Sequence, residues 1–122
     1  MLVVEDLADA AESTAIFLRH HGHVVDVATN GPSALQIAAH NPPHLALIDL
    51  GLPGGLDGCD VARRLQEGAV GRKPLLIAVT GYGQEADRRR SREAGMLLHL
   101  LKPVNPEDLE RLLERAKTIL GV

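Results

Sequence analysis

Asp49 closes the apolar run from His44 to Ile48 and opens into Leu-Gly-Leu-Pro-Gly-Gly-Leu-Asp-Gly, which puts a carboxylate at a strand tip beside sparsely substituted backbone. Three further apolar runs end on polar groups: Met1 to Val4 meets Glu5-Asp6, Pro74 to Val79 meets Thr80-Gly81, and Met96 to Leu101 meets Lys102-Pro103. Carboxylates gathered at one edge repel and raise each other's pKa until a cation neutralises them. A hard divalent ion, Mg²⁺ or Mn²⁺, suits a site of Asp6, Asp49, a backbone carbonyl at Gly51 and Glu5. With the fixed charge of Lys102 and the hydroxyl of Thr80, the set fits a transferring phosphoryl group, where positioning and charge neutralisation do most of the work. Asp49 is the nucleophile on this reading, since a carboxylate can accept a phosphoryl group as an acyl phosphate. No Ser, Cys or His is better placed.

The elements that must position these groups follow from periodicity. The runs at Met1 to Val4, His44 to Ile48 and Pro74 to Val79 are nearly all apolar, as strands covered on both faces are. Val24 to Val27 and Met96 to Leu101 carry Asp26 and His99 among aliphatics, which places them at sheet edges. Leu7 to His20, Gly31 to His40, Gly58 to Gln66, Glu85 to Ala94 and Pro106 to Leu120 repeat their apolar residues at helical spacing. Five strand–helix units predict one α/β domain over residues 1–122: a doubly wound, flavodoxin-like parallel sheet of order 2-1-3-4-5. Its crevice lies outside the carboxyl ends of the strands, where the polar residues collect.

Composition narrows the function. With 45% hydrophobic and 24% charged residues, the 122-residue chain reads as a soluble globular domain. Phe17 and Tyr82 are its only aromatics, too few for a base-stacking platform or a flavin sandwich, and a net charge of −3 gives no general pull toward nucleic acid or acidic membranes. The single Cys59 rules out an internal disulfide and fits a reducing compartment; no run reaches membrane-span length and no signal peptide opens the chain, so the cytoplasm is the expected location.

The pieces "VVED", "LALIDLGLP", "IAVTGYG" and "LLKPVNPEDL", in this order at the strand ends, resemble the receiver domains of two-component response regulators over essentially the whole chain. The resemblance implies that Asp49 takes a phosphoryl group from a phosphohistidine on a cognate histidine kinase or histidine phosphotransfer protein. It implies Mg²⁺ on Asp6, Asp49 and the Gly51 carbonyl, with Glu5 ligating directly or through water. Lys102 would pair with the phosphoryl oxygens, Thr80 would move to bond them, and the Lys102-Pro103 bond would be cis. The acyl phosphate would shift the surface of the fourth helix, fifth strand and fifth helix, which could also serve a homodimer. The wording "TGYGQEADRRR" and "HLLKPV" is similar to receivers fused to hybrid histidine kinases.

Two departures stand out. "LPGGLDG" has one more glycine, at Gly54 or Gly55, than is usual in the family, which predicts a bulged loop, and the switch position three residues before the lysine holds His99 where Tyr or Phe is common. These features keep a competing reading, a degenerate receiver that only binds proteins. A flavodoxin-like electron carrier or a phosphatase in the same crevice is the rival of enzyme class, with "TGYG" a weak glycine signal. The run Arg88 to Arg92 reads as a solvated face diluted by Glu85, Asp87 and Glu93, the histidines at 20, 21 and 23 as a helix end at Gly22, and Cys59 as ordinary packing. Asp6 has a second reading, as the N-cap of the first helix.

Overall fold

The computed structural model describes residues 1–69, 71–81 and 85–121, with residues 85–87 described for their backbone. Five strands, β1 (Leu2–Val4), β2 (Asp26–Ala28), β3 (Leu45–Asp49), β4 (Leu75–Thr80) and β5 (Met96–Leu101), alternate with α1 (Ala8–His20), α2 (Gly31–His40), α3 (Gly58–Glu67), α4 (Glu85–Glu93) and α5 (Pro106–Leu120). All described pairings are parallel and the sheet order is β2-β1-β3-β4-β5, the expected doubly wound arrangement.

Alternation along the strands divides the interior in two. Leu2, Val4, Ala46, Ile48, Leu76 and Ala78 pack with Ala34 of α2 and Val61, Ala62 and Leu65 of α3. Val3, Leu45, Leu47, Ile77 and Val79 point the other way, onto Ala15 and Leu18 of α1 and Leu109, Leu112 and Leu113 of α5. Burying each large aliphatic contributes about 1.5–3 kcal/mol, so the central strands, covered on both sides, are the fixed part of the molecule.

Helix ends explain where the connections turn. Asn30, Asp57 and Asn105 each accept a backbone N–H from three residues on, and Asp57 and Asp60 reciprocate in a capping box. Gly121 ends α5 in the left-handed conformation.

The structure corrects two readings. The second strand begins at Asp26 rather than Val24, which is 79% exposed, because the ladder to β1 starts at Leu2↔Asp26 and partner register overrides local aliphatic content. The N-cap of α1 is Leu7 rather than Asp6, and it makes no side-chain cap bond. Among the described residues no helix is long and apolar enough to cross a membrane.

Candidate phosphoryl-transfer site

The carboxyl ends of β1 and β3 bring Glu5, Asp6 and Asp49 together, with one ligand oxygen from each within 4.8 Å of the others. They form the one group of metal-ligating side chains of this kind among the described residues. Glu5 and Asp49 are buried, and Asp6 is more open to solvent. Asp49 is the last residue of β3, paired with Val79, so its side chain is aimed by the ladder rather than by a loop.

Lys102, just past β5, points back across the strand ends: its Nζ lies 2.8 Å from Asp49 Oδ2 and 3.2 Å from Glu5 Oε2. Its backbone N–H donates to the Thr80 carbonyl at 2.8 Å, and the Lys102–Pro103 peptide is cis. The Gly51 N–H donates to Asp49 Oδ1 at 2.9 Å, and the Leu7 N–H to Glu5 Oε1 at 3.3 Å. Both oxygens of Asp49 thus have a donor. Thr80, buried at the end of β4, stands on the neighbouring strand.

The charges are unequally shared. Burial pushes Glu5 up, and the adjacent Asp49 carboxylate adds to this, leaving Glu5 above the usual carboxylate range. Burial also presses Asp49 upward, but the Lys102 ammonium, the Gly51 N–H and a hydrogen bond from Glu5 outweigh it, so Asp49 is held below its usual value. Lys102 is raised, because Asp49 and Glu5 together overcome its partial desolvation. Of the two, Asp49 therefore keeps its charge to lower pH, and Glu5 takes a proton first.

This site fits a hard divalent ion. Its side-chain donors are all carboxylate oxygens, those of Glu5 and Asp49 are buried, and the Asp49 carboxylate adds to the burial that raises Glu5.

His99 lies on β5 opposite Ala78, and its Nε2 is hydrogen-bonded to Ser91 Oγ of α4, so its described partner is a helix rather than the acidic cluster. Burial, and then Arg88 and Arg92, hold its pKa below the ordinary 6.5. The long loop is anchored by buried Leu52 and by Leu56, which packs on the α2–α3 side, while Pro53, Gly54 and Gly55 form an exposed tip with Gly54 at φ 89°. Among the other readings, Cys59 is buried in the core, and His21 Nδ1 donates to the Phe17 carbonyl in the turn after α1. Arg88, Arg89 and Arg92 are exposed. Tyr82 and Gly83 of "TGYG", and the side chains of Glu85 and Asp87, lie outside the described residues.

Two contacts were missed in sequence. A Cβ on Gly58 would sit 2.4 Å from the Asp49 carbonyl oxygen, so α3 rests on the backbone of the acid itself. Arg90 Nη2 donates to Asp57 Oδ2 at 3.0 Å, joining α4 to the α3 cap. The Asp57-x-x-Asp60 spacing signals the cap, but nothing local signals Arg90.

The family model described as the response regulator receiver domain matches residues 1–114. The chain is 33% identical over 115 residues to an uncharacterized 14.6 kDa protein in the sodA1 3′ region of Leptolyngbya boryana, covering 94% of this chain and 87% of that one. It is 32% identical to the transcriptional regulatory protein ResD of Bacillus subtilis, covering 95% of this chain but 48% of ResD. Among solved structures, a putative response regulator from Chloroflexus aurantiacus superposes with a TM-score of 0.85 at 30% identity, covering 99% of this chain and 96% of its own.

Proposed function

The chain belongs to the family of response regulator receiver domains, and from that we propose that it is a phosphoacceptor in which Asp49 takes the phosphoryl group from a phosphohistidine of a histidine kinase or phosphotransfer protein. The observation that carries this reading is Asp49 itself: ionised, with Lys102 on one oxygen and the Gly51 N–H on the other, among carboxylates that call for a cation.

In the reaction a carboxylate oxygen of Asp49 forms the new P–O bond as the P–N bond to the donor imidazole breaks. The ring leaves neutral, having taken a proton on its other nitrogen. Glu5, Asp6, Asp49 and the Gly51 carbonyl would hold Mg²⁺ or Mn²⁺. Bound there, the ion supplies charge against which the phosphoryl oxygens are neutralised. Lys102, already bridging Asp49 and Glu5, is placed to pair with a phosphoryl oxygen. Thr80, at the adjoining strand end, contributes its hydroxyl to the same group. The modified site would then bias the α4–β5–α5 surface, where Leu97 and Leu101 are exposed, toward a partner protein or a second copy in the cytoplasm.

Incubation with acetyl phosphate and MgCl₂, followed by intact-protein mass spectrometry, tests the reading. One added phosphoryl group is expected, absent in Asp49→Asn and after EDTA treatment. A wild-type mass that does not change would leave a module that only binds proteins.

A further inference from the structure

The first turn of α3 is fixed at both ends of a short chain of contacts that begins on α4. Arg90 Nη2 donates to Asp57 Oδ2 at 3.0 Å. The other oxygen, Oδ1, accepts the Asp60 N–H at 2.9 Å, and Asp60 in turn accepts the Asp57 N–H at 3.1 Å. One carboxylate thus serves two helices. The next residue, Gly58, donates its N–H toward the Leu50 carbonyl at 3.4 Å and leaves no room for a side chain against Asp49, a Cβ there meeting the Asp49 carbonyl oxygen at 2.4 Å and Leu50 Cα at 2.8 Å. A displacement of Asp57 therefore moves the Gly58 backbone, which lies against the backbone of Asp49 and Leu50 with no side chain between them to absorb it.

We infer that Arg90 is a positioning residue for Asp49, acting through Asp57 and Gly58, and that it ties α4 to the phosphoacceptor by a route separate from Thr80. The kinetic part of this inference rests on the phosphoacceptor reading above; the structural part does not. An ion pair this exposed is weak in isolation, but here one partner is already held by the α3 cap, so little ordering remains to oppose it. Coupling is reciprocal: whatever moves Asp49 must also bear on α4.

The test uses Arg90→Gln, Arg90→Lys, Asp57→Asn, which keeps an oxygen to cap α3, and the Gln/Asn double variant. In the unmodified protein, the amide resonances of Leu50 and Gly58 are expected to shift in Arg90→Gln and to return in Arg90→Lys. With acetyl phosphate, Arg90→Gln and Asp57→Asn are expected to lower the maximal rate of Asp49 labelling about three- to tenfold at an unchanged half-saturating concentration. The double variant should be no slower than the slower single variant. Unshifted Leu50 and Gly58 amides overturn the inference whatever the labelling shows. So do single-variant rates within about twofold of wild type, or effects that multiply in the double variant. If wild-type protein takes no label but the Leu50 and Gly58 amides still shift in Arg90→Gln and return in Arg90→Lys, the phosphoacceptor reading falls and the link from Arg90 to the Asp49 backbone stands.

Discussion

A methyl group at Gly58 and one at Gly51 meet different obstacles, although both glycines lie in the loop region after Asp49. At Gly58 the obstacle is the backbone of Asp49 and Leu50; at Gly51 the nearest atom is Asp49 Oδ1 at 3.5 Å, an ordinary contact. Gly58→Ala is expected to destabilise by about 1–3 kcal/mol in urea unfolding and to slow Asp49 labelling, whereas Gly51→Ala should leave stability near wild type. Lys102→Gln removes the ammonium that bridges Asp49 and Glu5, so labelling by acetyl phosphate should fall sharply with the fold retained, as circular dichroism would show. Asp49, Asp6 and Lys102 were legible in the sequence because each ends an apolar run, where chain direction alone brings it to the carboxyl edge. Gly58 was not, because a glycine at a helix start looks the same whether or not another strand lies against it.

α4 differs from the other helices in how it is attached. Arg88, Arg89, Arg90 and Arg92 are exposed, and among the described side chains of α4 it is Ser91 that is fully buried, where it donates to the Arg88 carbonyl at 3.0 Å and meets His99 Nε2. α5, by contrast, sets Leu109, Leu112, Leu113 and Ala116 into the interior. A buried polar bond is costly to break on one side only. Ser91→Ala should therefore raise amide hydrogen exchange across α4 while amides of β1, β3 and β4 keep their protection, a pattern of local opening rather than global loss. The limits of α5 could be read as Pro106 to Leu120 because cap, N-terminal proline and terminal glycine are all local signals. β2 could not be placed to the residue, since its start is decided by the register of β1, and the Ser91–His99 bond depends on how α4 seats on the strand that follows it.

For the molecule as a whole, pH near neutrality acts through two histidines, His23 in the connection after α1 and His99 on β5. Burial, then neighbouring cations, lower both His23 and His99 below their ordinary 6.5. Below that value the unfolded chain binds protons that the native one declines, so stability is complete above it and declines as pH falls. The urea midpoint should drop as pH falls through the ordinary 6.5 and below it, and His23→Gln with His99→Gln should flatten that drop. Glu5, raised above its ordinary 4.5, acts in the opposite sense, adding stability as pH falls through its native value. Fold and strand order were readable at this scale because five strand–helix units leave few ways to wind one sheet, whereas proton affinities depend on which groups end up buried together. Finally, the chain has a single cysteine, Cys59, whose thiol burial both shields and raises in pKa. Gly55, at the open tip of the loop that begins at Asp49, has nothing within 4 Å of an added Cβ. Gly55→Cys would thus offer one reactive thiol to a maleimide dye, turning that loop into an optical reporter of events at the strand end without a cysteine-free background having to be made first.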